Sequence, residues 1–254
     1  MPRVRREKRV IGDKMEKELK IGYVVADEDE YAPLRAMAEE LSAVRADFLK
    51  REGHLFSFVK DDRKVIVHSV LCGIGMVNAA AAATFLATEK CDIIINSGLS
   101  GGISGIARGE LTIGTEYIEH DFDLTPLGYK PCQKPLQNYV YKADQNLLEV
   151  LCDIYPDLKR GVAVSGDSFI ADAAKRDFFK NEFSAMSCDM ESAAVAYVCE
   201  QAEIPFVAIR RVSDDAGESA TESYTKMNNL REEVLISLLV DAAKRFFDYD
   251  VLWK

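Results

Sequence analysis

Three consecutive isoleucines, Ile93-Ile94-Ile95, bounded by Asp92 and Asn96, constrain the fold of this chain more than any other segment. A short apolar run without polar alternation reads as a strand covered on both faces, the usual situation in a largely parallel sheet with helices above and below. Further strands are expected at 20–26, 64–71, 115–119, 161–165, 185–189 and 206–212, with 55–60 forming a hairpin to 64–71 around Asp61-Asp62-Arg63. Helical patterns fall near Pro33, after Gly75, and at 146–154, 173–179 and 192–201. Leu230, Val234, Leu235, Leu238, Leu239, Ala242 and Phe246 recur at helical spacing and predict a last helix against a sheet face. Strands alternating with helices predict an α/β fold, a three-layer α/β/α sandwich with a mostly parallel mixed sheet.

No Pro/Gly/Ser-rich linker interrupts the 254 residues, so a single domain is expected over 19–254. Residues 1–18, with the basic run Arg3-Val4-Arg5-Arg6-Glu7-Lys8-Arg9, read as a disordered N-terminal extension. A formal charge of -10 and the lack of any basic stripe in the body of the chain argue against nucleic acid or an anionic membrane as partner. The N-terminus lacks an apolar signal core, and the Ala-rich stretch 79–87 is too short to span a bilayer, so a cytoplasmic protein is expected. Cys72, Cys91, Cys132, Cys152, Cys188 and Cys199 are scattered without a Cys-x-x-Cys, and His54, His68 and His120 do not cluster with them. Buried free thiols follow, with neither disulfides, a metal site nor a cofactor expected.

The ends of the expected strands hold the chemistry, because an open α/β sheet displays reactive groups beyond its carboxyl edge. The first strand runs into Asp27-Glu28-Asp29-Glu30, another into Asp189-Met190-Glu191, and another through Arg210 to Ser213-Asp214. Each acid could equally serve as a helix-start residue, since carboxylates are favoured in a helix's first turn. Gly98-Leu99-Ser100-Gly101-Gly102 fits the nucleophile elbow of serine hydrolases, but no histidine follows His120 to complete a triad. A Gly-rich turn that brings backbone close to a ligand fits better. Gly73-Ile74-Gly75 lacks the third glycine of a dinucleotide fingerprint and reads as a tight turn whose following helix points its N-terminus at a ligand hydroxyl or water. In Gly166-Asp167-Ser168-Phe169-Ile170 an aromatic ring stands at a strand end where a planar base could stack.

Taken in order, these motifs, with His120-Asp121-Phe122-Asp123 and Gly128-Tyr129, resemble the 5'-methylthioadenosine/S-adenosylhomocysteine nucleosidases of the nucleoside phosphorylase superfamily. The resemblance runs from about Leu19 to the final helix and implies a homodimeric N-glycosyl hydrolase that releases adenine. By that resemblance Glu30 is the general base, Glu191 the ribose acceptor above an apolar floor of Met190, and Asp214 the acid at the purine N7, oriented by Ser213. Phe169 stacks on the base, and Ile170 meets its edge through the backbone. Ile74 and Gly101 line the substrate, Arg210 holds acidic neighbours, and Leu124, Leu127 and Tyr129 cap the 5' substituent in the adjacent subunit. The chain departs from the family pattern at Asp27, Leu99, Leu127 and Asp189. A phosphate-dependent phosphorylase and a nucleoside-binding relative are the alternatives, and four acids at the first strand's end make water a better co-substrate than phosphate.

Overall fold

The computed structural model describes residues 17–228 and 233–253. Leu230 of the expected last helix and positions 1–16 of the expected extension lie outside these residues. Ten strands are described: β1 (Lys17–Val25), β2 (Val44–Arg45), β3 (Gly53–Lys60), β4 (Arg63–Leu71), β5 (Ile93–Gly102), β6 (Leu111–Glu119), β7 (Val140–Lys142), β8 (Lys159–Ser165), β9 (Ala185–Asp189) and β10 (Phe206–Asp214). The helices are α1 (Glu28–Ala36), α2 (Met76–Thr88), α3 (Gln145–Ile154), α4 (Ala173–Phe183), α5 (Ser192–Ala202), α6 (Ala220–Asn228) and α7 (Glu233–Arg245). Lys17 and Glu18, expected in the extension, are strand residues that pair with Arg63 and Lys64.

All ten strands share one mixed sheet. β1 lies parallel between β4 and β5, and β10 runs parallel to β5 on the other side. The β3–β4 hairpin extends one edge, closed by β2. At the other end β5 pairs with both β10 and β9, and the path β10-β6-β8-β9 returns to β5, so this half closes into a ring. The isoleucine run explains the layering. Ile93 and Ile95 enter one core with Val207, Ile209 and the buried faces of α1, α3 and α7, while Ile94 enters a second with Val24, Ala208 and the alanines of α2 and α5. A period-2 strand with every residue apolar must meet helices on both sides. The final helix buries Leu235, Leu238, Leu239 and Ala242 but leaves Val234 exposed.

Two expectations about glycine segments are corrected. Gly98 to Gly102 form no turn; they continue β5 to its end. Glycine is needed there for space: a Cβ on Gly98 would sit 2.6 Å from Arg210 Nη1 and 2.7 Å from Glu30 Oε2. The 73–75 segment is a tight turn, with Gly73 and Gly75 at φ 88° and 103°, but the N-terminus of α2 is taken by protein carboxylates. Gly75 N–H donates to Glu191 Oε1 at 3.1 Å and Met76 N–H to Asp167 Oδ1 at 2.7 Å, leaving neither for a ligand.

Candidate active site

A cavity of about 330 Å³ opens where the carboxyl ends of β1, β5, β9 and β10 converge. From the sequence-predicted residues it gathers Glu30, Ile74, Gly101, Phe169, Ile170, Met190, Glu191, Ser213 and Asp214, and adds Asp27, Leu99, Ser100, Cys188, Asp189 and Tyr224. Leu124, Leu127 and Tyr129 are not in its lining. They belong to the segment around a 3-10 turn at Thr125–Leu127, where the Leu127 side chain is 72% exposed. His120 is half-buried, its ring against Phe179, and is not in the cavity lining.

Arg210 is completely buried beneath the cavity and organises its acids. Its Nε lies 3.3 Å from Asp189 Oδ2 and its Nη2 lies 3.4 Å from Glu191 Oε2. Nη2 also donates to Asn96 Oδ1 and, at 3.0 Å, to Ser192 Oγ. One guanidinium thus faces three buried carboxyl groups, Glu30, Asp189 and Glu191, and cannot neutralise all of them.

Asp189 retains its charge. Burial alone would raise its pKa, but Arg210 and donors from Ser192 and the Glu191 backbone hold it below the ordinary value. Those donors are Ser165 Oγ at 2.7 Å, Glu191 N–H at 3.0 Å, Ser192 N–H at 2.8 Å and Ser192 Oγ at 2.6 Å. Asp189, read from the sequence as a residue beside the ribose, therefore spends its oxygens anchoring Arg210 and the start of α5. Glu191 is pushed upward by burial, with Asp189 adding to the shift and Arg210 opposing it.

Glu30, in the first turn of α1, is raised to about 8 by burial, partly offset by Arg210 and by the Leu99 N–H that donates to its Oε1 at 2.7 Å. Its Oε2 has no hydrogen-bond partner. Leu99, despite its apolar side chain, thus supplies a polar contact through its backbone. Asp214, at the end of β10, is also raised by burial, while Ser213 Oγ, 2.7 Å from its Oδ2, and the Ala216 N–H, 2.8 Å from its Oδ1, oppose the shift. A second unpartnered polar atom, Ser100 Oγ, lies in the lining between these two acids.

Tyr224 is the site residue that sequence reasoning missed. Its helix, α6, carries Ala-Thr-Glu-Ser-Tyr-Thr at its start and has no apolar stripe to announce it. The ring meets Phe169 edge-on at 5.5 Å. No Lys, Arg or His lines the cavity among the described residues. The arrangement can hold a polar ring between Phe169 and the Asp214 edge, accept hydroxyls at Glu191, and exchange a proton at Glu30.

The profile of the phosphorylase superfamily matches residues 20–244. A 5'-methylthioadenosine/S-adenosylhomocysteine nucleosidase of Anoxybacillus flavithermus is 33% identical over 236 residues, covering 88% of this chain and 98% of the relative. One from an Exiguobacterium strain is 34% identical over 235 residues, covering 89% and 95%. Among solved structures, the Neisseria meningitidis enzyme of that name, in complex with methylthio-immucillin-A, superposes with a TM-score of 0.78 at 30% identity, covering 89% of this chain and 98% of that one.

Proposed function

The chain belongs to the phosphorylase superfamily, and from that premise we propose that its cavity hydrolyses the N-glycosidic bond of 5'-methylthioadenosine and S-adenosylhomocysteine. The observation that carries the reading is the pairing of Glu30 and Asp214, two acids whose pKa values burial raises, on the lining of one cavity. Water oxygen bonds to the anomeric carbon, its proton passes to ionised Glu30, and the sugar–base bond breaks with its electron pair going to the purine. Asp214 supplies a proton at N7, so adenine departs neutral and the ribose retains the hydroxyl. Glu191 accepts from a ribose hydroxyl over Met190.

Charge imbalance serves this chemistry. With Glu30 and Glu191 ionised, Arg210 leaves a negative surplus around the sugar, which favours the cationic transition state over the neutral substrate. The same surplus disfavours a phosphate dianion, and among the described residues no basic side chain lines the cavity to receive one. Release of free base is therefore expected at equal rates with and without inorganic phosphate, measured on 5'-methylthioadenosine, S-adenosylhomocysteine, adenosine and inosine. Release only in its presence would make the protein a phosphorylase.

Glu30 must be ionised to act as base, so kcat/KM should rise with pH along a limb centred near 8. A profile flat from pH 6 to 9, roughly spanning that limb, would argue against a base of this kind.

The reading extends to a homodimer, with Leu124, Leu127 and Tyr129 capping the partner's substrate; the exposure of Leu127 and Tyr129 supports it. A cytoplasmic setting is supported by six unpaired cysteines, and adenine release from a thio-adenosine suits methionine salvage.

A further inference from the structure

We propose that Asp27 and Tyr224 select nucleosides whose 5' substituent is cationic or donates hydrogen bonds, an inference that rests on the nucleosidase reading. With the base against Phe169, Ile170, Ser213 and Asp214, the ribose hydroxyls at Glu191 and Asp189 held by Arg210, the one acid of the lining without a task is Asp27, and Tyr224 is among the other lining residues not yet used. The anomeric carbon faces Glu30 and the secondary hydroxyls face Glu191, so the 5' carbon is what points to this remaining end.

Asp27 is fixed there by its backbone role. As N-cap of α1 its Oδ1 accepts the Asp29 N–H at 2.8 Å, while its other oxygen takes no hydrogen bond among the described residues. Tyr224 reaches the same end from α6, its ring edge-on to Phe169. Asp27 and Tyr224 both line the cavity, and burial raises the pKa of the phenol, with the Asp27, Glu30 and Glu191 carboxylates adding to the shift. An ammonium at the 5' position meets two acceptors, whereas a methylthio group satisfies neither. A 5' phosphate meets five carboxyl groups, Asp27, Glu30, Asp189, Glu191 and Asp214, with no cation in the lining among the described residues.

The test compares 5'-amino-5'-deoxyadenosine with 5'-deoxyadenosine, 5'-methylthioadenosine and AMP, by base release and by calorimetric binding. Wild-type protein should favour the amino compound over 5'-deoxyadenosine by about tenfold or more, the size expected of one charge-assisted hydrogen bond, and should reject AMP. Asp27→Asn, which can still cap α1, should bring the amino preference near unity, and Tyr224→Phe should reduce it part of the way. An Asp27→Asn variant that scales all substrates alike, or a wild type that prefers the apolar substituents, overturns the assignment. If no base is released from any compound the nucleosidase reading fails, while the binding ratios still decide the role of Asp27 and Tyr224.

Discussion

Glu30→Gln lowers kcat for adenine release by about a thousandfold, within the range of general-base catalysis, while nucleoside binding stays close to wild type. Gln retains an oxygen to accept the Leu99 N–H, so the contact between α1 and β5 is kept. Single-turnover adenine release and calorimetric binding separate the two quantities, and a Gln variant with full turnover removes Glu30 as the base. Stability responds in the opposite sense. Folded Glu30 keeps its proton to about 8 whereas the unfolded chain releases it near 4.5, so between those values the folded state binds more protons and stability falls as pH rises. The Gln variant lacks this penalty, and its Tm should gain on wild type as pH climbs through that window.

Arg210→Met has the largest expected effect on stability. Removing one partner of a buried ionic cluster costs about 3–5 kcal/mol, because the remaining charge has no compensation. In a protein of this size that corresponds to a fall in Tm of roughly 10 °C. Asp189 is the group left exposed to the loss, since Arg210 and the Ser192 donors keep its pKa low. A depressed carboxylate contributes stability above its unfolded pKa and loses it as pH falls through the folded value. The deficit of the variant should therefore be greatest at neutral pH and shrink in acid, as Asp189 takes up a proton. Thermal scans at neutral and acid pH measure it, and an unchanged Tm at neutral pH would mean that Arg210 does not balance these acids.

The residues most legible in the sequence were those for which local pattern and tertiary role coincide. The apolar strands 93–95 and 206–209 are buried on both faces, so their composition alone announced a covered sheet. Glu30, Glu191 and Asp214 were visible because strand ends in this architecture are where acids have work to do. The reading faltered where long-range contact decides. Gly98 looks like a turn residue, yet its glycine is required by two side chains, Glu30 and Arg210, that approach from distant segments. Asp189 lines the cavity, but its hydrogen bond from Ser165 and its ion pair with Arg210 cross between strands and leave no local mark in the sequence. Tyr224 had no pattern at all, since a half-exposed helix over a cavity mouth needs no apolar stripe.

The closed ring at one end of the sheet carries a consequence for how the protein reaches its native state. Arg210 on β10 and Asn96 on β5 meet only when strands more than a hundred residues apart are in register. Such non-local pairings form late and slowly, because loop-closure entropy must be spent before the contacts repay it. Asp189, Glu191 and Arg210 lie close together in sequence, but Asn96 and the third acid, Glu30, reach them only from distant segments, so the complete cluster forms only when those segments are in place. The most costly electrostatic arrangement in the molecule is thereby tied to its most cooperative unit, and local fraying near the cavity mouth can proceed without opening it.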